Sequence, residues 1–241
     1  MSNRRRQLEA AVAQIRMRYG PRAVCTAAAI ERPPPRLSTT FPALDRVLEG
    51  GLPIGGVTEI VGMATSGKAT LAAKAVAAAQ ADRSALAAWM DLPRGCDVEY
   101  LHRCSVDLER LLIVRPRGAE DGLAIATALV ESHTLAVLVF DGGDALHQAG
   151  PAAVAAALER LRTLAAQGVT AVIFLVDPRW PCPPLAGVAA LRLALRREEW
   201  LTEGRDVRGY TAQVAVVKHK LGRSGAVVPI RITFNGSVHG A

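Results

Sequence analysis

Apolar positions fall into two kinds of pattern along the chain. Residues 5–19 place Leu8, Val12, Ile15 and Tyr19 at spacings of four, three and four, which is one face of an amphipathic helix. Gly20-Pro21 stops it. From residue 41 onward short elements alternate. A short helix is predicted over 41–48, followed by Gly50-Gly51-Leu52-Pro53, and a β-branched strand over 58–61. An Ala-rich helix over 68–81 leads to a strand at 86–90, a helix at 95–104, a strand at 111–114 and a helix at 119–132. Leu135–Phe140 is an unbroken apolar run, as expected of a strand covered on both faces. A long Ala/Leu helix over 151–166 and a second apolar strand over 169–176 follow. Strands alternating with helices predict an α/β domain around a mostly parallel central sheet. Past residue 187 the helices stop. Strands at 188–196, 212–219 and 227–234 are joined by short turns, so the sheet is expected to end antiparallel. No internal repeat is evident.

Composition refines this outline. The chain has 241 residues, half of them hydrophobic, enough for one sizeable core and too apolar for wholesale disorder. The expected organisation is a helical arm with a linker over 1–36 and a core domain over 37–241. Glu31-Arg32-Pro33-Pro34-Pro35-Arg36 reads as the stiff, extended end of that linker. An arm with one apolar face needs a cover, from its own core or from a neighbouring subunit. No uncharged apolar run approaches the roughly 18 residues of a membrane span. Arg4-Arg5-Arg6 is not followed by the apolar stretch of a secretory signal, because Glu9 and Gln14 interrupt. Cys25, Cys96, Cys104 and Cys182 show no C-x-x-C spacing, which argues against a disulfide framework or structural zinc and for the cytoplasm.

The formal net charge of +7 is unevenly spread. Residues 1–36 carry +6, residues 37–187 carry −4, and residues 188–231 carry +5. Two readings stay open: a surface for a polyanion such as nucleic acid, or free use of Arg on ordinary surface.

The strongest chemical signal is Gly62-Met63-Ala64-Thr65-Ser66-Gly67-Lys68-Ala69-Thr70, between a predicted strand and a predicted helix. That is the context a phosphate-binding loop requires. Its glycines let the backbone fold tightly with N–H groups inward, and the helix N-terminus adds positive potential. Lys68 would reach the terminal phosphates. Ser or Thr usually follows the Lys and ligates Mg²⁺, but here Ala69 has no oxygen. Thr70 lies about 100° further round the helix and is a poor substitute. Asp141, at the end of the apolar strand, has the position of the acid that holds Mg²⁺ through water in such nucleotidases. The plainer reading makes it a turn aspartate before Gly142-Gly143.

The order of these pieces resembles the RecA family of recombinases over almost the whole chain. The arm is similar to the RecA N-terminal helix that packs on the next subunit of a filament. Leu37-Ser38-Thr39-Thr40, Leu44-Asp45 and Gly50-Gly51-Leu52-Pro53-Ile54-Gly55-Gly56 resemble the stretch that leads into the RecA ATP site. Asp97 and Tyr100 match residues that flank the adenine. Lys218-His219-Lys220 matches a Lys-x-Lys that reaches the neighbour's nucleotide; the two lysines alternate on a predicted strand and so face the same way, and in the plainer reading they face solvent. Lys68, Asp141, Lys218 and Lys220 are therefore the candidate catalytic residues. Residues 62–70 with Asp97 and Tyr100 are the candidates for ATP, and Asp141 for Mg²⁺.

The departures matter as much. Where the family has a catalytic glutamate after the strand ending near Met90-Asp91, this chain has Pro93, which accepts no proton. Loss of a positioned base costs roughly 10²–10⁴ in rate. Asp91, Glu99 and Asp144 are the nearby acids. The first DNA-binding loop shrinks to about 142–150 and has no basic residue. The second, 177–187, has four prolines and begins with Asp177, where the family has an ATP-sensing glutamine. Arg179 with Trp180 is a candidate phosphate contact plus base stack, or Trp180 anchors a Pro-rich turn. His133 and His147 have no partner at metal-ligand spacing and read as ordinary surface or satisfied histidines, and Arg196-Arg197-Glu198-Glu199 reads most simply as a solvated turn, with a DNA-facing patch as the second reading. Asn235-Gly236-Ser237 fits a glycosylation pattern that means nothing without a signal.

The resemblance thus implies an ATP-binding RecA paralogue with weak or no hydrolysis, acting in DNA repair and recombination. Being short and degraded in its site, the chain also resembles the ImuA-type accessories of SOS translesion synthesis. Implied partners are single-stranded DNA, RecA, translesion polymerase subunits, and copies of itself through the arm. The alternative is an active DNA-dependent ATPase and recombinase.

Overall fold

The computed structural model describes residues 3–20, 24, 35–234 and 238–240. It contains two compact units, Met1–Pro35 and Arg36–Ala241. The first unit is carried by helix α1, Asn3–Tyr19, two residues longer at its start than the periodicity predicts. Its Leu8, Ile15 and Met17 are exposed. Most of the expected linker, Cys25 and the Asn235–Ser237 motif lie outside the described residues.

The second unit is an α/β core. In chain order its elements are β1 (Arg36–Leu37), α2 (Pro42–Val47), β2 (Leu52–Pro53), β3 (Val57–Gly62), α3 (Lys68–Ala79), β4 (Leu86–Asp91), α4 (Val98–Arg103) and β5 (Leu111–Val114). Then come α5 (Ala119–Glu131), β6 (Leu135–Asp141), α6 (Pro151–Gln167), β7 (Ala171–Val176), α7 (Pro183–Val188), β8 (Leu191–Glu203), β9 (Asp206–His219), β10 (Val227–Thr233) and β11 (Val238–Gly240). The main sheet has nine strands in the order β11-β10-β9-β8-β3-β7-β6-β4-β5. The six strands from β8 to β5 run parallel, and β9, β10 and β11 add antiparallel pairs.

The two hydropathy patterns have one cause, which is whether one or two faces of a strand are covered. Along β6, Val137 and Val139 enter the layer shared with α3, while Leu138 and Phe140 enter the layer shared with α5 and α6. Ile173 and Leu175 of β7 divide from Val172 and Phe174 in the same way. Period-2 alternation therefore serves two cores, and the strand reads as wholly apolar. Phe140 and Phe174 stack with centroids 4.9 Å apart and tie the two strands together. In β10 only Val228, Ile230 and Ile232 are buried, and the intervening residues face solvent.

Several boundaries differ from expectation. The strand predicted over 169–176 starts at Ala171, because Val169 lies in the turn and is exposed. The strands predicted over 188–196 and 212–219 are a much longer hairpin, Leu191–Glu203 and Asp206–His219. The outer part of β8, past Arg197, pairs only with β9 and is mostly exposed, so its sequence lacks the apolar alternation that would announce it. The segment 177–187, expected as a loop, contains α7, with prolines in its first turn where no N–H is needed. The 142–150 segment is largely a 3-10 helix, Gly143–Gln148.

The Ser38–Gly51 stretch forms a clasp ahead of β3. Asp45 accepts hydrogen bonds from Ser38 Oγ, Thr39 N and Thr39 Oγ1 at 2.6–2.8 Å. Gly51, at φ 119°, lies so close to β1 that a Cβ would meet the Leu37 carbonyl at 2.1 Å. This position admits only glycine.

Candidate functional site

The loop joining β3 to α3 is built from glycine and from contacts that leave its polar groups facing inward. Gly67 is the N-cap of α3 in left-handed conformation (φ 98°), and no side chain caps the helix. The first N–H groups of α3 thus have no side-chain partner, as a phosphate site requires. A Cβ on Gly67 would meet Ile232 Cδ1 at 2.5 Å, so β10 presses against the loop from outside. Ser66 Oγ is buried without a hydrogen-bond partner. Lys68 Nζ donates to the Gly62 carbonyl at 2.7 Å and spans the mouth of the loop. An uncapped helix start, an orphaned hydroxyl and a lysine bonded to a neutral carbonyl all fit a phosphate group.

Asp141 ends β6 facing this loop. Burial pushes its carboxyl up to about 6, and the Lys68 ammonium and the Trp89 indole only partly oppose this. A cation beside it would restore its charge. Among the described residues no three His, Cys, Asp or Glu side chains cluster to hold a metal. A single carboxylate is the donor set that suits Mg²⁺ carried in largely by phosphates and water.

Tyr100 comes to the loop from α4. Asp97 is the N-cap of that helix and accepts the Tyr100 N–H at 2.9 Å. The Tyr100 hydroxyl shares a 2.7 Å hydrogen bond with Thr70 Oγ1. Burial raises the Tyr100 phenol well above its ordinary range. Thr70 is buried and its hydroxyl is engaged by this bond, while Ala69 presents a methyl group at the surface. No hydroxyl follows Lys68 at the mouth of the loop.

With that geometry, a family model of the RecA N-terminal domain matches residues 6–165. The chain belongs to the RecA family. It is 32% identical to Protein RecA of Aquifex aeolicus over 250 residues, covering 92% of this chain and 72% of the relative. Against Protein RecA of Frankia alni the identity is 31% over 265 residues, covering 98% and 76%. Against that of Clavibacter michiganensis it is 32% over 249 residues, covering 91% and 68%. RecA-family membership supports a recombination and repair protein with an α/β core of this kind. Among the described residues no helix is long and apolar enough to cross a membrane.

The nearby acids are unequal. Asp91 is fully buried; its Oδ1 accepts the N–H groups of Gly95 and Cys96, and its Oδ2 pairs with Arg115 at 3.1 Å. It shapes the turn that carries Pro93, with both carboxylate oxygens engaged. Glu99 is exposed on α4, and Asp144 sits in the 3-10 helix within electrostatic reach of Asp141 and Arg179.

Beyond β7, Asp177 accepts the backbone N–H, Nε and Nη2 of Arg179 at 2.8–3.0 Å. These bonds hold the Asp177 carboxyl down at about 2. Arg179, expected as a phosphate contact, is thus already paired with an acid. Trp180 stacks on His147, centroids 4.5 Å apart, and His147 is hydrogen-bonded to the Asp144 carbonyl. His147 is thus a satisfied surface histidine. Trp180 still exposes about half its surface.

Lys218 and Lys220 do not alternate on one strand. Arg192 pairs with Lys218 and Leu193 with Val216, so Val217 is an extra residue in β9. The strand ends at His219, and Lys220 opens the turn. Lys218 Nζ donates to the Ala186 and Gly187 carbonyls at 2.7 and 3.0 Å, and so neutralises the C-terminal end of α7.

Sequence reasoning missed one cluster. Trp200 of β8 pairs across the hairpin with Tyr210 of β9, and Phe234 completes the group. The Arg197 guanidinium lies 4.2 Å from the Trp200 ring centre and donates to Thr65 Oγ1 at 2.8 Å. The segment expected as a solvated turn is a strand whose arginine touches the phosphate loop. The available signal was scarcity: aromatics are only 4% of the chain, and three of them close on one spot.

Proposed function

We propose that this protein binds ATP with Mg²⁺ at residues 62–70, hydrolyses it weakly or not at all, and acts as a RecA-like accessory of DNA repair and recombination. Lys68 would hold the terminal phosphates, Asp141 would hold the cation through water, and Asp97 and Tyr100 would border the base. Bound Mg²⁺ would supply charge neutralisation of the phosphates. The observation that carries the reading is an intact phosphate cradle beside a site that lacks both a magnesium hydroxyl, at Ala69, and a proton acceptor, at Pro93.

The contacts it makes are of the filament or partner kind. Exposed Leu8, Ile15 and Met17 on α1 support an arm that docks on RecA or on another copy of this chain. Lys218 and Lys220 would then lie near a neighbour's nucleotide, once Lys218 leaves the end of α7. Single-stranded DNA is the expected nucleic acid, with Trp180 as the stacking side chain. SOS translesion synthesis, with polymerase subunits as partners, is the cellular setting this degraded site suits.

The test is ATP binding and hydrolysis by the purified chain, with and without single-stranded DNA, with Lys68→Ala as the blank. ATP binding that Lys68→Ala abolishes, with turnover no higher than that blank, is the expected result. Turnover that DNA stimulates and Lys68→Ala abolishes would make the protein an active DNA-dependent ATPase instead. Pull-down with RecA and with translesion polymerase subunits tests the setting, and binding to none of them would overturn it.

A further inference from the structure

β7 and β8 flank β3 in the sheet, so the segments that follow them flank the phosphate loop. Each brings an arginine there. Arg179, after β7, is spent on Asp177. Arg197, on β8, is in a different state. Among the described residues it makes no ion pair, although Arg196 beside it pairs with Glu198. Its one polar contact in the loop is a neutral hydroxyl, Thr65 Oγ1, 132 residues away in sequence.

The guanidinium is nevertheless held in place. It lies over Trp200 at 4.2 Å and is 5.9 Å from the Tyr210 ring centre. Trp200, Tyr210 and Phe234 brace one another with centroids 5.9–6.4 Å apart. Aromatic faces attract the cation without neutralising it. The result is a half-buried, unneutralised planar cation, already oriented, with donors to spare at the lip of the loop.

We propose that Arg197 is a phosphate ligand supplied in cis, which reads the terminal phosphate of a bound nucleoside triphosphate. Its bond to Thr65 is the position it holds before the nucleotide arrives. The loop's N–H groups enclose the inner phosphates, whereas the Thr65 side chain is exposed at the lip. A donor resting there meets the part of the ligand that emerges from the loop. Arg suits the task because its fork matches a phosphate edge, where a lysine offers only a point charge. The proposal rests on the ATP-binding reading above and adds a selectivity that Lys68 alone does not give.

The experiment titrates the full-length chain with a slowly hydrolysed ATP analogue and with ADP, each with Mg²⁺, by equilibrium dialysis. It is run on wild type, Arg197→Gln, Arg197→Lys and Lys68→Ala. Arg197→Gln keeps a donor for Thr65 and removes the charge, and thermal melting shows whether it stays folded. The expected result is ~10-fold or greater loss of affinity for the analogue, the size of a lost charge-assisted bond, with ADP affinity changed less than about twofold. Arg197→Lys should fall between. In a Trp89→Phe, Trp180→Phe background that melting shows to be folded, Trp200 emission should respond to the analogue, hardly to ADP, and to neither in Arg197→Gln. Equal losses for both nucleotides, or no loss, would overturn the proposal while ATP binding stands. If wild type binds neither nucleotide and matches Lys68→Ala, the ATP reading fails and the proposal falls with it.

Discussion

β6 and β7 are neighbours, and an aspartate stands at the same edge of the sheet after each. Asp141 and Asp177 nevertheless differ by about four units, the first pushed up to about 6 and the second held down at about 2. The difference lies in their partners. Asp177 receives three N–H groups of Arg179, whereas Asp141 is buried with only Lys68 and Trp89 to favour its charge. The two arginines beside the loop repeat the contrast with the sign reversed: Arg179 has an acid, and Arg197 has a hydroxyl and aromatic faces. A charge that its own protein has neutralised is structural. A charge held in place without a counter-charge is available to a ligand.

The largest effect should come from Asp141→Asn. Because the folded carboxyl is raised, protonation favours the native state: that stabilisation is present below about pH 3.8 and is lost as pH rises to about 6. Above pH 6 wild type carries a buried charge that the variant lacks, at a cost of about 3 kcal/mol. Melting curves should therefore show the variant gaining on wild type between pH 4 and pH 7, with loss of any Mg²⁺ dependence of nucleotide binding. A constant gap across that range would break the contrast with Asp177.

Asp177→Asn tests the opposite case. The depressed carboxyl contributes stability above its unfolded value near pH 4 and loses it as pH falls toward about 2. The variant should be less stable than wild type at pH 7, with the gap closing in strong acid. It also releases Arg179. Affinity for single-stranded DNA should rise about tenfold, with a salt dependence steeper by about 0.7, one phosphate's worth. Unchanged DNA binding would show that Arg179 faces no phosphate.

The smallest effects separate the two tryptophans. Trp200→Ala removes the arginine platform and two ring contacts, and should cost about 1–2 kcal/mol by chemical denaturation together with part of the ATP preference. Trp180→Ala loses one exposed stack on His147 and should cost under about 1 kcal/mol. Equal costs would mean that Arg197 is not held by its platform.

What was legible in advance follows from how locally each feature is encoded. The strand–loop–helix frame of the candidate phosphate loop was readable because strand, glycines, lysine and helix are consecutive. The doubly covered strands were readable because apolar burial leaves a continuous run. The full length of the hairpin was not, since β8 past Arg197 pairs only with β9 and is mostly exposed, so no apolar alternation marks it. The end of β9 at His219, which leaves Lys220 in the turn, leaves no trace in residue identities.

The sequence alone determined the α/β class, the order of strand, glycine-rich loop, lysine and helix around residues 58–79, and the methyl group of Ala69 after that lysine. These depend on residue type and short spacings. Only the tertiary structure decided which charges are free. Asp177 and Arg179 are two residues apart, but their bond required a particular turn. Thr65 and Arg197 are 132 residues apart, and meet because β3 and β8 are paired in parallel. Electrostatic availability depends on distance and burial in three dimensions, and a linear pattern carries neither.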